Sequence, residues 1–153
     1  MSGNLMKGKR GLIMGVANDH SIAWGIARAA AAQGAELAFT YQTDSFARRV
    51  GPLAESVNAA AMVQCDASET DSLDQAFAAI GDTWDRLDFV VHAIAHSNKE
   101  ELKGRYMNTT QDNFLRTMNI SCYSFTAVAQ RAAAMMDGNG SLLTLTYHGA
   151  QAV

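Results

Sequence analysis

Gly15-Val16-Ala17-Asn18-Asp19-His20-Ser21-Ile22-Ala23-Trp24-Gly25 is the stretch around which the chain is organised. The apolar run Leu12-Ile13-Met14 leads in, and an Ala-rich helical segment leads out through Gln33. A strand, a glycine turn and a helix start built of small residues are the parts of a phosphate seat. At a helix N-terminus several backbone N–H groups lack partners, and the peptide dipoles sum to a partial positive charge there. Gly15 permits a sharp turn out of the strand. Ser21 offers a hydroxyl beside the free amides, and Ala23 and Gly25 allow close approach of helix to sheet. The glycines do not follow the G-x-G-x-x-G spacing. A strand–helix connection with no ligand uses the same parts, so this stretch alone leaves both readings open.

With 153 residues, the chain has the length of one domain, and residues 1–153 are read as a single unit. It is 48% hydrophobic and 18% charged, with one proline and a net charge of −3, so it carries no electrostatic footprint for nucleic acid. No apolar run reaches the length of a membrane span, and Met1 to Lys9 lacks the apolar core of a signal peptide. Cys65 and Cys122 have no metal or CxxC spacing and read as buried, reduced thiols. These features point to a soluble, cytoplasmic protein.

Outward from the opening stretch, Arg10 to Val16 reads as a central strand, apolar on both faces. Ser21 to Gln33 reads as a helix stopped by Gly34 at C′. Strands follow at Glu36 to Tyr41, Ala60 to Cys65, Leu87 to Ala93 and Ser141 to Leu145. Between them, Ser45 to Val57 reads as a helix, with Pro52 an irregularity. Ser68 with Asp71 resembles a capping box ahead of a helix marked by Leu73, Phe77, Ile80 and Trp84. A long helix from Thr110 carries the stripe Phe114, Met118, Cys122, Phe125, Ala129, Ala132, Met136, expected to be core, and ends at Gly138 and Gly140. Five strands alternating with four helices predict an α/β fold of the Rossmann type. Its parallel sheet is doubly wound, in strand order 3-2-1-4-5.

In such a sheet, ligands bind at the carboxyl ends of the strands where the winding reverses. That selects the Gly15 to Ser21 turn, then Tyr41 and Gln42, Asp66 and Ala67, Ile94 to His96, and Tyr147 with His148. A dinucleotide site usually places an acidic side chain at the end of the second strand; here stands Gln42, whose amide can still meet a ribose hydroxyl. Arg48 and Arg49 could face a 2′-phosphate or form a solvated helix face, and the balance favours NADH. Asp66 could accept from an adenine amino group or serve the turn. The four histidines show no metal-ligand spacing, so no metal is expected, and His92, inside a strand, reads as a satisfied core or helix-facing residue. Tyr147 is the catalytic candidate, a phenol able to donate to an oxygen that gains negative charge. The alternative is a tyrosine packed at a strand end.

Several of these segments together resemble a known family: Gly15-x5-Ser21-Ile22-Ala23, Glu36-Leu37-Ala38-Phe39-Thr40-Tyr41-Gln42, Gln64-Cys65-Asp66, Tyr123-Ser124-Phe125 and Leu142-Leu143-Thr144-Leu145-Thr146-Tyr147. The chain resembles the bacterial NADH-dependent enoyl-acyl-carrier-protein reductases, a branch of the short-chain dehydrogenase superfamily. Ala93-Ile94-Ala95 stands where the wider superfamily has N-A-G. The resemblance implies that Gly15, Ser21 and Ile22 border the pyrophosphate and nicotinamide side. It implies Gln42 at the adenosine ribose, Asp66 and Ala67 at the adenine, and Ile94 near the cofactor's centre. Ser97 matches a position lining the acyl substrate, and Tyr147 the first of two active-site tyrosines. The implied reaction is hydride delivery from NADH to the β-carbon of a trans-2-enoyl thioester on acyl carrier protein, within a homo-oligomer.

The family continues into a Tyr-x6-Lys pair, whose lysine binds the nicotinamide ribose and lowers the tyrosine's effective pKa. Lys7, Lys9, Lys99 and Lys103 are this chain's lysines, and none stands at that spacing after a tyrosine. The expectation is therefore a truncated chain without turnover of its own, with an open edge at the fifth strand and a tendency to self-associate. A cofactor-binding fragment without catalysis is the alternative within the family. A receiver domain would need an acidic pair after the first strand and a lysine after the fifth. A flavodoxin would need a hydroxyl-rich phosphate loop. Gly15-Val16 and Tyr147-His148 disfavour the first, and a turn with Ser21 as its one hydroxyl disfavours the second.

Overall fold

Alternation of side chains along each strand sorts the apolar residues onto the two faces of one sheet. Leu12 and Met14 point to one side and Ile13 to the other, as do Ala38 against Leu37 and Phe39, and Val90 against Val91. The computed structural model describes residues 3–150; the ends of the expected unit, Met1, Ser2 and residues 151–153, lie outside the described residues. The strands are β1 (Arg10–Met14), β2 (Glu36–Tyr41), β3 (Ala61–Gln64), β4 (Phe89–His92) and β5 (Ser141–Thr144). They form one parallel sheet in the expected order β3-β2-β1-β4-β5. Register is fixed by pairs such as Leu12 with Ala38 and with Val90.

Helices α1 (Ile22–Ala32) and α2 (Asp44–Ser56) cover one face through Ala23, Trp24, Ala27, Val50 and Ala54. Helix α3 (Thr70–Thr83) and the C-terminal part of a long helix cover the other through Leu73, Phe77, Ile80, Val128 and Ala132. That long helix is α4 (Gln111–Met118), a π turn (Asn119–Tyr123) and α5 (Ser124–Ala133) run end to end, so the expected four helical rods are present. Gly34 ends α1 at φ +91, with its N–H on Ala31 O and that of Ala35 on Ala30 O. This is the glycine-terminated helix end expected from the sequence. Pro52 sits within α2, which runs unbroken around it.

Several expectations need correction. Strand β1 stops at Met14 rather than Val16, because Gly15 adopts φ +98 and turns the chain out of the sheet. Ser68 does not cap α3: its hydroxyl donates to Asp66 Oδ1 at 2.7 Å, and Glu69 occupies the cap position. The helix starts at Thr70, one residue too late for Ser68 to be its cap, and no N–H of α3 donates to the Ser68 hydroxyl among the described residues. Cys65 is buried, but Cys122 is exposed. The long-helix stripe is right only in its second half. Ala132 and Met136 are buried, whereas Phe114 is 45% and Met118 43% exposed.

The α4 face turned inward is instead polar. Asn113 Oδ1 accepts from Asn98 N–H, and Thr117 Oγ1 donates to Ser97 Oγ, tying the helix to the loop after β4. The rod ends at Ala133, short of the expected stop, and the chain turns through Asp137 (φ 43) and Gly138 (φ 74).

Polar groups lock the remaining joints. Asp88, at the entry to β4, accepts from Arg10 N–H and Lys9 Nζ, each at 2.9 Å. Burial pushes the Asp88 carboxyl up, but these hydrogen bonds and the Lys9 and Arg86 charges outweigh it and leave it below the ordinary aspartate value. His92 is fully buried, as the sequence predicts for a helix-facing residue. Ser124 Oγ donates to Ile120 O at 2.6 Å, so it accepts from His92 Nε2–H at 2.7 Å. Nδ1 is then the acceptor for Thr144 Oγ1 at 3.2 Å, and the network fixes the tautomer. Burial drives the His92 pKa below its ordinary value.

Candidate functional site

Parallel strands deliver their following loops to one edge of the sheet, and the order β2-β1-β4 places the winding reversal between β1 and β4. A cleft of about 340 Å³ lies at that edge. Its floor is the turn after β1, Gly15 to Ala17, and the loop after β4, Ala93 to His96. One end is formed by Thr40, Tyr41 and Gln42 after β2, by Cys65, Asp66 and Ala67 after β3, and by Phe46 of α2. Arg116 and Ile120 of the long helix close the side.

The turn after β1 is shaped for close approach. A Cβ at Gly15 would overlap the Ala93 carbonyl, so only glycine lets these two loops lie against each other at the positive φ required. Ser21 does not cap α1 with its side chain; its Oγ accepts from Ala17 N–H at 3.0 Å and Asn18 N–H at 3.1 Å, folding the turn. The hydroxyl proton is left to donate elsewhere. The Ile22 and Ala23 amides at the start of α1 have no acceptor among the described residues. The backbone at this end therefore has donors to offer an anion.

At the other end, Gln42 Nε2 donates to Asp66 Oδ2 at 2.9 Å, while Asp66 Oδ1 accepts from Ser68 N–H and Oγ–H. Burial raises the Asp66 carboxyl pKa, but the Ser68 and Gln42 hydrogen bonds and the Arg116 charge outweigh it, holding it below the usual aspartate value. The adjacent Cys65 thiol is pushed up to about 11, by burial first and then by the Asp66 charge. Arg49 is not among the residues lining the cleft: its guanidinium lies 4.6 Å from the Phe46 ring centre and Nε donates to Ser45 O at 3.2 Å.

Of the residues singled out in the sequence, Gly15, Gln42, Asp66, Ala67 and Ile94 line this one cleft. Ser21 and Ile22 stand just behind its turn, Ser21 shaping it and Ile22 exposed at the first position of α1. Ser97 does not line it; its hydroxyl accepts from Thr117 Oγ1 at 3.0 Å and Asn113 Nδ2 at 3.3 Å. Tyr147 is not brought in either. It lies past β5, 81% exposed. Phe46, Arg116 and Ile120 are lining residues that strand-end reasoning misses, because they come from helices rather than from loops after strands. Among the described residues, no three His, Cys, Asp or Glu side chains gather as metal ligands, and no helix is long and apolar enough to cross a membrane.

Residues 15–153 match the family described as Enoyl-(Acyl carrier protein) reductase. The enoyl-[acyl-carrier-protein] reductase [NADH] 2 of Rhizobium meliloti is 60% identical over 149 residues, 97% of this chain and 56% of that protein. The Anaplasma phagocytophilum reductase, solved in complex with NAD, superposes with a TM-score of 0.95 at 55% identity, covering 99% of this chain and 58% of that one. The Bacillus cereus enoyl-acyl carrier protein reductase, solved with NADP+ and an indole naphthyridinone, gives a TM-score of 0.94 at 40% identity, covering 98% of this chain and 59% of that one. The chain thus spans little more than half the length of these relatives.

Proposed function

The chain belongs to the enoyl-(acyl carrier protein) reductase family, and from that premise we propose that its cleft seats NADH for reduction of a trans-2-enoyl thioester on acyl carrier protein. The observation that carries the reading is the meeting of Gly15, Gln42, Asp66, Ala67 and Ile94 in one cleft at the carboxyl edge of the sheet. These residues come from four different strand ends, and a sheet with another winding would scatter them.

When bound, the reduced nicotinamide supplies the hydride that goes to the β-carbon. This chain's own residues bind and orient. Gly15 leaves room for the pyrophosphate, and the Ser21 hydroxyl with the first amides of α1 donates to its oxygens. Gln42 meets the adenosine ribose, Asp66 accepts from the adenine amino group, Ala67 packs beside the base, and Ile94 gives an apolar contact near the cofactor's centre. Ser97 belongs to the acyl side. Tyr147, past β5 and exposed, donates a hydrogen bond to the thioester oxygen as it becomes an enolate oxygen, and a proton from water at the α-carbon completes the reduction. Residues 1–153 act as one nucleotide-binding unit. A homo-oligomer is supported by Phe114, Leu115, Met118 and Tyr123, large apolar side chains exposed along the long helix. A cytoplasmic place of work is supported by two free thiols.

Fluorescence titration of the chain with NADH tests the reading. Saturable binding is expected for the wild type, and its loss for Gly15→Val, whose side chain would collide with the Ala93 carbonyl. Absence of saturable binding, or equal binding by Gly15→Val, contradicts it.

A further inference from the structure

NADH and NADPH differ only at the adenosine ribose, where one carries a 2′-hydroxyl and the other a 2′-phosphate. We propose, resting on the dinucleotide reading above, that Asp66 is a positioning residue for the choice between them: by holding the Gln42 amide it makes Gln42 Oε1 an acceptor that takes a hydroxyl and turns a phosphate away.

The nitrogen and oxygen of a glutamine amide are alike in shape, so the neighbour decides which way the group faces. Here the neighbour is a carboxylate. Asp66 Oδ1 already accepts from Ser68 N–H at 3.0 Å and from Ser68 Oγ at 2.7 Å, bonds that favour the ionised form. An ionised carboxylate only accepts, so the Gln42 group 2.9 Å from Oδ2 is the NH2, and Oε1 takes the opposite side of the amide. The backbone of Gln42 is held as well, its carbonyl accepting from Gln64 Nε2 at 3.2 Å.

A ribose hydroxyl can donate to Oε1. An ionised 2′-phosphate has no proton to give and meets only the lone pairs of Oε1. Of the nearby cations, Arg48 is exposed and, like Arg49, is not among the residues lining the cleft. Arg49 is held on Phe46 and Ser45 O. Arg116 lines the cleft, and its positive charge favours the ionised form of Asp66. The acidic residue that dinucleotide sites commonly put at the end of the second strand is thus replaced by a pair, an amide from that strand set by a carboxylate from the next.

The test is the ratio of the NADPH to the NADH dissociation constant, read by fluorescence titration at one fixed salt concentration. Both nucleotides carry adenine, so any loss of an Asp66–adenine contact cancels in the ratio. The wild-type ratio is expected at about 10 or above, the worth of one well-placed hydrogen bond. It should fall to within about threefold of unity in Asp66→Asn and in Gln42→Ala, with no further fall when the two are combined. A wild-type ratio near unity, or one unchanged in Asp66→Asn, overturns the inference. An equal fall on adding Asp66→Asn to Gln42→Ala also overturns it, since Asp66 would then act as a bare charge and not through the amide. Binding of neither nucleotide by the wild type removes the dinucleotide reading itself. Should Asp66→Asn fail to fold by circular dichroism, the exposed Gln42→Ala carries the test, and an unchanged ratio there overturns the proposal.

Discussion

Strands β1 and β5 belong to one sheet, yet their surroundings are opposite. In β1 every residue from Gly11 to Met14 is buried, whereas in β5 Leu142 is half-buried and Ser141, Leu143 and Thr144 are exposed. The cause is what stands on either side. Strand β1 pairs with β2 and with β4, and helices cover both of its faces. Strand β5 pairs only with β4 among the described residues, and Leu143 is 45% exposed. The cleft residues gather around β1, which is paired on both sides, while Tyr147 lies beyond the exposed strand. The buried, doubly paired region is the one suited to hold a nucleotide, and the open region is the one suited to meet another surface.

Paired substitutions sharpen the contrast most. Ile13→Ala empties a fully buried site and should cost about 2–5 kcal/mol in urea unfolding. Leu143→Ala, removing a side chain already half in water, should cost under about 1 kcal/mol. Equal losses would mean that β5 is covered in solution.

His92 joins the two regions, so its protonation tests the seam between them. Its folded-state pKa is lowered, so the neutral form is favoured in the fold while the unfolded chain takes up a proton below the ordinary value of 6.5. Stability is therefore fully present above pH 6.5 and is lost as pH falls from there toward the lower folded value, by at most about 1.4 kcal/mol per pH unit from this group. Urea midpoints at pH 7.5 and 5.5 should separate for the wild type more than for His92→Gln. An identical pH dependence in both would remove His92 from the account.

A smaller effect divides the cysteines. With its thiol buried and pushed up to about 11, Cys65 should resist Ellman's reagent in the native chain. Cys122, exposed on the long helix, should react promptly. One fast equivalent is expected, with the second appearing on unfolding; two fast equivalents would show that the β3 end opens readily.

Legibility in the sequence follows the same divide. The run Leu12-Ile13-Met14 announces a strand covered on both faces, and Gly15 at its end announces the turn, because burial and positive φ each restrict residue type strongly. Strand ends then point to Gln42, Asp66, Ala67 and Ile94 without further information. The long helix deceives because its inward face near α4 is built from Asn113, Thr117 and Ser121, which hydrogen-bond to the loop after β4, while Phe114 and Met118 face out. Apolar periodicity cannot detect a seam held by hydrogen bonds. Arg116 is hidden for a related reason, since an exposed arginine on a helix has no local mark of facing a cleft. Ser68 looks like a cap, but a local turn gives its hydroxyl to the carboxylate of Asp66 two residues before it.

The most direct measurement is an amide chemical-shift map of the isotopically labelled chain during titration with NADH. Perturbations are expected at Gly15, Ala17, Gln42, Asp66, Ala67 and Ile94, while a second groove, lined by Arg28 of α1 and by Ser56 and Asn58 at the end of α2, should be left unchanged. Shifts concentrated in that second groove, or none at saturating nucleotide, would contradict the placement of the dinucleotide site at the carboxyl edge of the sheet.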